Sequence, residues 1–572
     1  MHPRVRFVVP AATLALLALS AVPVGGSAAS AGSSSLNKIN HIVVIYQENH
    51  SFDNLYGSWE RVNGLTHAGV TSLQQVKQNG TIFNCLLQND VNLSTPPQPA
   101  TCADTTGTGA NATFSSNFPN APFAIDSYIP PSATTCPAPG VFAPNGVPNG
   151  QGQPGGCTED LVHRFYQEQY QLNGGLQNRY VTGSDAVGLS MGHYTTTQLP
   201  IYQYLHQAGH PSYAIADKFF QGAFGGSFLN HQWLIAAATP VFAGAAQTGP
   251  MDRHSVIDSN GMPSNSALYT AQGAVKDLNL TAECATVPAG VVAACGDYAV
   301  NTTQPWFQPY APGTADWRRL PALTTPNIGD RLNAKGVDWA WYAGGWSNAD
   351  GRVGDPGWTQ ASGATTCNSA SASGSSYPYC PDKLFQFHHQ PFNYFANYGF
   401  VGGQSSGQET ALRQQHLRDE QEFLNTANGS TANCNLKSVS FVKPIGAENE
   451  HPGYTGESQG SNHLVDVIKA IEGSACAKDT LVVATYDEFG GFWDHVTSPG
   501  QGGSAGVADQ WGPGTRIPAL IVSPFLNSSF VVDHVSHDTT SILATIEHRF
   551  GVPSLGTRDA SVRDLSSVYT AR

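Results

Sequence analysis

Two pairs of neighbouring oxygen donors stand where apolar runs end. The run 39–46 leads into Gln47-Glu48-Asn49-His50-Ser51-Phe52-Asp53, and the run 481–486 into Asp487-Glu488-Phe489-Gly490-Gly491-Phe492-Trp493-Asp494-His495. Burying adjacent carboxylates without a cation costs on the order of several kcal/mol or forces protonation. Each end alone has a plainer reading: Asn49 or Ser51 can cap a helix, and Asp487-Glu488 can lie in a surface turn. Two such ends in one chain point to a shared divalent-metal site. Oxygen ligands favour Ca²⁺ or Mg²⁺, with Zn²⁺ still compatible.

Ser227 follows Gly225-Gly226, a position where a metal can activate a hydroxyl nucleophile, although Ser after Gly-Gly is more often only a turn. A literal G-x-S-x-G at 502–506 has no strand before it, so the hydrolase-elbow reading fails its structural condition. His163, His388-His389 and His451 lie near these places, and as isolated residues each is better explained as a surface or hydrogen-bonded histidine than as a catalytic one. No H-E-x-x-H occurs, which removes the zincin proteases.

These residues need a scaffold that delivers strand ends to one place. Runs 39–46, 337–342, 438–442, 481–486 and 517–522 read as buried strands. Helical patterns precede Gly336, span 462–472, and span 539–550 before Gly551. Alternating strands and helices predict an α/β fold with a mainly parallel central sheet and helices on both faces. In such sheets ligands collect beyond the carboxyl ends of the strands.

Charged residues are 12% of the 572, about half the usual share, and the net charge is −14. That charge disfavours a protein that tracks nucleic-acid phosphates or docks electrostatically on anionic lipid. Arg4 and Arg6 precede an apolar stretch with small residues at 27–31, so residues 1–31 read as a signal peptide and the protein as secreted, periplasmic or cell-surface. An uncleaved anchor is the rival reading, disfavoured by Pro10 and Pro23 within the stretch. No later stretch is apolar enough to span a bilayer, so the mature chain is expected to lack a transmembrane segment. The ten cysteines, Cys85 to Cys476, then read as disulfides of open connectivity, since no C-x2-C pair supports a zinc cluster. Residues 32–572 read as one domain with stapled, Gly/Pro/Ser-rich insertions near 93–157, 244–320 and 355–380.

The order Glu48-Asn49-His50-Ser51-Phe52-Asp53, Gly225-Gly226-Ser227 with Asn230, His388-His389, Glu450-His451-Pro452 and Asp487 through His495 resembles the bacterial phospholipase C and acid phosphatase phosphoesterase family, of the alkaline-phosphatase-like superfamily. The resemblance implies one metal held by Glu48, Asn49, Asp487, Glu488 and Ser227. Ser227 would be the nucleophile, passing through a phosphoserine. His163, His389 and His451 would bind the phosphoryl oxygens or protonate the leaving group, and charged rings would imply an acid optimum. The chain departs from the family at Ser227-Phe228-Leu229-Asn230-His231, which lacks the usual Pro and Arg, and at Phe489, where His is frequent. With no further β domain evident after the last helix, the expected substrate is a soluble phosphate monoester. Phospholipase C action on a lipid head group is the alternative, and a catalytically inactive secreted binding protein a further one. Nucleic acid is not an expected partner.

Overall fold

The computed structural model describes residues 32–88, 99–106, 113–129, 158, 160–243, 253–263, 277–311, 313–358, 385–403, 408–503 and 506–572. The expected leader, Ser504, Cys136, Cys157, Cys367 and Cys380 lie outside these residues, as do much of the first insertion and nearly all of the third.

Eight strands make the central sheet: β1 (His41–Gln47), β2 (Tyr213–Ala216), β3 (Trp339–Ala343), β4 (Leu417–Asp419), β5 (Val439–Lys443), β6 (Thr480–Tyr486), β7 (Ala519–Val522) and β8 (Phe530–Asp533). Their order is β4-β3-β5-β1-β6-β7-β2-β8. β1 lies between β5 and β6, parallel to both, with Val44 level with Phe441 and Val483. β3 is parallel to β4 and β5, and β8 to β2. β7 alone runs against its neighbours β6 and β2. The chain is thus a mixed α/β structure built on one large sheet. β1, β5 and β6 are buried strands, lined by Ile42, Val44, Phe441, Val442, Val482 and Val483, each at most 1% exposed. β2, β4 and β8 are short and are not among the strands expected from the sequence.

The helices that matter below are α1 (Phe52–Leu55), α2 (Phe165–Leu172), α3 (Pro200–Leu205), α4 (Ser227–Ala236), α5 (Ile328–Lys335), α6 (Glu420–Gly429), α7 (Glu457–Glu472) and α8 (Thr539–Phe550). α8 matches its sequence signals: Asp538 and Ser541 form a capping box, and Gly551 ends it at φ +62°. α7 begins five residues earlier than its apolar pattern, because its first turn is polar. α7 packs on α3 and α6, and α8 on α4. Among the described residues no helix is long and apolar enough to cross a membrane.

Among the described residues three disulfides, Cys85–Cys102, Cys284–Cys295 and Cys434–Cys476, pair cysteines adjacent in sequence. The last ties the exit of α6 to the exit of α7. The same two helices share a buried ion pair, His463 Nε2 to Glu420 Oε1 at 2.8 Å, with Glu448 at 3.8 Å. Burial pulls the His463 ring down, but Glu420, then Glu448 and Asp466, outweigh it and push the ring up to about 9. An unfolded His titrates near 6.5, so the pair's stabilisation is complete below about pH 6.5 and fades as pH rises towards 9. Urea unfolding at pH 6 and pH 9 should show wild type losing roughly 2–3 kcal/mol more than His463→Gln over that interval. Equal losses would mean that the ring carries no extra proton in the fold.

Candidate active site

β1 and β6 lie side by side and parallel, so the residues that follow them emerge together. Asn49 N donates to Asp487 Oδ1 at 3.2 Å, across 438 positions of sequence. Asn49 turns back at φ +63°, and Gly490 lies against it: a Cβ there would meet the Asn49 carbonyl oxygen at 2.1 Å. Only glycine allows this approach of the two loops. Ser51 caps α1 by accepting from Asn54 N, so the plain helix-start reading holds for Ser51 while Glu48 and Asn49 turn elsewhere.

The third component is the start of α4. Ser227 is its first residue, buried, with Oγ donating to Glu48 Oε2 at 3.0 Å and to Asn49 Oδ1 at 3.4 Å. The preceding glycines admit α2's leading segment. A Cβ on Gly225 would meet Phe165 N at 2.8 Å, and one on Gly226 would meet His163 O at 2.9 Å. Asn230 holds the turn, accepting from Ala223 N and donating to the Gly225 and Gly226 carbonyls.

The histidines converge on the same point. His389 Nε2 lies 3.2 Å from Glu48 Oε1, and His163 Nε2 lies 3.6 Å from Glu488 Oε1. His451 Nε2 meets Asn49 Nδ2 at 3.0 Å. Ser227, Glu48, Asn49, Asp487, Glu488, His163, His389 and His451 therefore form one cluster. His163 and His451 each point Nδ1 at a backbone carbonyl, of Leu161 and Pro452, both at 2.6 Å. That geometry puts the ring proton on Nδ1 and leaves Nε2 bare. Burial pulls the rings down, His163 to about 4 and His388 to about 3, with His389 and His451 well below the usual range. The acid optimum expected from cationic rings finds no support in these surroundings.

Two members of the cluster escaped the sequence reading. Lys443, the last residue of β5, ion-pairs with Glu48 and donates to the Tyr46 carbonyl at 2.9 Å. Its signal was a lone cation closing an apolar strand at the carboxyl end. His231 is one turn beyond Ser227, hydrogen-bonds its carbonyl at 2.7 Å, and stacks on His389 with centroids 4.8 Å apart. It occupies the position where the family commonly has Arg.

Beneath the cluster, Arg516 joins the two loops. Its Nε donates to both oxygens of Asp494 at 3.0 and 3.1 Å, and Nη2 donates to Asp53 at 2.9 Å. His495 completes the bridge to Asp53, through Nδ1 at 2.5 Å and its backbone N at 2.8 Å. Burial would raise the Asp53 carboxyl, but Arg516 and His495 hold it below the usual range. Asp53, Asp494 and His495 thus clamp the two loops together, and their ligand atoms also lie within 4.8 Å of one another. The second insertion supports the site from another side. Asn301 Oδ1 and Asp277 Oδ2 accept from Phe165 N and Tyr166 N, the first amides of α2, at 3.1 Å each.

The cluster fits a divalent cation. Asp487 Oδ2 and Glu488 Oε1 are buried without a hydrogen-bond donor. Burial, then Asp487, pushes Glu48 and Glu488 well above the carboxylate range, although Lys443 opposes this at Glu48. Glu48, His231 and His389 also bring ligand atoms within 4.8 Å of one another, so nitrogen donors are at hand beside the oxygens.

Parts of this chain are similar to curated proteins. Phospholipase C B of Mycobacterium tuberculosis is 34% identical over 158 residues, 24% of this chain and 30% of that protein. Non-specific phospholipase C6 of Arabidopsis thaliana is 34% identical over 137 residues, 21% and 26% of the two chains. Non-hemolytic phospholipase C of Burkholderia pseudomallei is 31% identical over 138 residues, 21% and 19%. The chain thus spans less than a third of the length of each of these relatives. The family model described as the Phosphoesterase family matches residues 39–553, taking in every member of the cluster, and the chain belongs to that family.

Proposed function

We propose that this protein is a metal-dependent hydrolase of phosphoric esters, and that its substrate is a phosphodiester of the phospholipase C kind. The observation that carries the reading is the Ser227 hydroxyl, buried at a helix start and 3.0 Å from Glu48 inside a ring of carboxylates and histidines. Glu48, Asn49, Asp487, Glu488 and Ser227 would hold one divalent cation. When bound, it lowers the serine hydroxyl's pKa and offsets phosphoryl charge.

Ser227 Oγ attacks phosphorus in line with the leaving alcohol, and its proton passes to the carboxylate side of the cluster. The P–O bond to the alcohol breaks, and the alcohol takes up the proton that Ser227 gave to the carboxylates. Water then attacks the phosphoserine, the P–Oγ bond breaks and Ser227 regains a proton. His163, with Nδ1–H tied to the Leu161 carbonyl, presents a bare Nε2 suited to accept that water's proton, whereas the Nε2 of His451 already accepts from Asn49 Nδ2. Lys443 balances charge at Glu48. Site residues at and beyond the ends of β1, β5 and β6 lie where an open α/β sheet collects ligands.

The phosphodiester reading rests on the names of the similar proteins, and the monoester reading is the weaker. Hydrolysis of p-nitrophenyl phosphorylcholine, p-nitrophenyl phosphate and phosphatidylcholine vesicles, each with Ca²⁺, Mg²⁺ or Zn²⁺, separates them. Faster diester turnover with diacylglycerol release is expected. Monoester turnover alone would restore the phosphatase reading. No turnover with any cation would favour an inactive binding protein.

A further inference from the structure

α2 carries a carboxylate that no step above uses. Glu168 is fully buried and has four donors. Oε2 accepts from Gly225 N at 2.5 Å and from Gln221 Nε2 at 2.9 Å. Oε1 accepts from Thr515 N at 2.7 Å and Thr515 Oγ1 at 2.8 Å. Burial still pushes this carboxyl up to about 7. Its partner Gln221, also fully buried, spans two loops. Gln221 Nε2 donates to the Ala223 and Gly225 carbonyls at 2.7 and 3.1 Å. Gln221 Oε1 accepts from Phe489 N at 3.0 Å, the amide directly after Asp487-Glu488.

We propose that Glu168 and Gln221 are positioning residues: together they hold the turn that presents Ser227 in register with the loop that carries Asp487 and Glu488. The chemistry of the side chains supports this. The turn's amide at Gly225 is buried and needs an acceptor, and Asn230 already serves Ala223 N. A glutamine at 168 has one acceptor oxygen and one donor nitrogen, so it cannot receive donors at both ends of its head group. Either Thr515 or the Gly225–Gln221 side would face an NH₂. At Gln221 the amide is required for the converse reason, because one end must donate to the turn while the other accepts from Phe489. Neither residue touches the reacting atoms, and both act through the backbone of the turn and loop that bear the site side chains.

The inference rests on Ser227 being the nucleophile, so the test measures wild type, Ser227→Ala, Glu168→Gln and Gln221→Leu together. The readouts are kcat and KM on p-nitrophenyl phosphorylcholine and p-nitrophenyl phosphate, and the midpoint of activation by the preferred cation. Displacing a nucleophile by a fraction of an ångström to 1 Å costs up to about a hundredfold. Glu168→Gln should lower kcat tenfold to a hundredfold, with KM and the cation midpoint within threefold of wild type. Gln221→Leu frees the metal-side loop as well, so it should lower kcat and also raise the cation midpoint. Wild-type kcat in folded Glu168→Gln, or a loss confined to KM, would overturn the inference while leaving the proposed function standing. If wild type is inactive on both esters, or Ser227→Ala stays active, the proposed function falls first and this inference with it. If neither glutamate nor glutamine variant folds, the pair belongs to the fold and the positioning role is wrong.

Discussion

Ser227→Ala should leave a folded protein whose turnover of phosphoric esters is at least roughly a thousandfold below wild type, a barrier rise of about 4 kcal/mol or more. In the proposed mechanism the hydroxyl forms the covalent bond to phosphorus, and alanine has no replacement for it. The folded state should change little. Ser227 is the first residue of α4, and Gly226, not Ser227, occupies the cap. Alanine is a good helix former, and the lost hydrogen bonds to Glu48 and Asn49 are worth about 1 kcal/mol. Acid quenching of wild type during turnover, followed by peptide mass spectrometry, should find phosphate on the peptide containing Ser227 and on no peptide of the variant. Turnover above a tenth of wild type in Ser227→Ala, or phosphate on another residue, would remove the serine from the mechanism.

The second large effect concerns the carboxylates. Asp487→Asn should abolish both activity and the stabilisation given by divalent cation. Wild type at a cation concentration a hundred times its Kd should gain about 2.7 kcal/mol over the chelated protein. The variant should gain almost none. The chelated variant should nevertheless melt no lower than chelated wild type. Asp487 sits against Glu48 and Glu488, and after burial its charge is the largest influence raising both of them. Replacing it by an amide removes that repulsion while the oxygen accepting from Asn49 N and Glu488 N can stay. Differential scanning calorimetry with EDTA and with each cation makes the comparison. A cation-dependent shift in Asp487→Asn equal to wild type would place the ion elsewhere, and the next group to test would be Glu48, His231 and His389.

Much of this was legible in sequence because its signals are local. An apolar run that ends in two oxygen donors marks a strand end, whatever lies beside it. β1 and β6 begin and end within two residues of their apolar runs. Gly336 and Gly551 both end helices in the left-handed region, at φ +71° and +62°. Family resemblance then joined motifs that no local signal connects. Glu48, Asn49, Ser227, His163, His389, His451, Asp487 and Glu488 all stand within one cluster.

Tertiary structure alone decided the rest, since the remaining relations depend on pairing between distant segments. Whether β7 runs with or against β6 leaves no trace in Ala519–Val522, a run that reads the same in either direction. β4, Leu417-Arg418-Asp419, joins the sheet edge because β3 offers it a partner and not because its residues demand extension. Lys443 becomes a site residue only when β5 is laid beside β1, which brings its Nζ to Glu48. Glu168 and Gln221 look in sequence like any polar residues of a helix and a loop. Their meaning comes from the fold, which buries four donors around one carboxylate and leaves one amide between the serine turn and the metal loop. A linear sequence displays the order of its strand ends; only the folded sheet determines what each end faces.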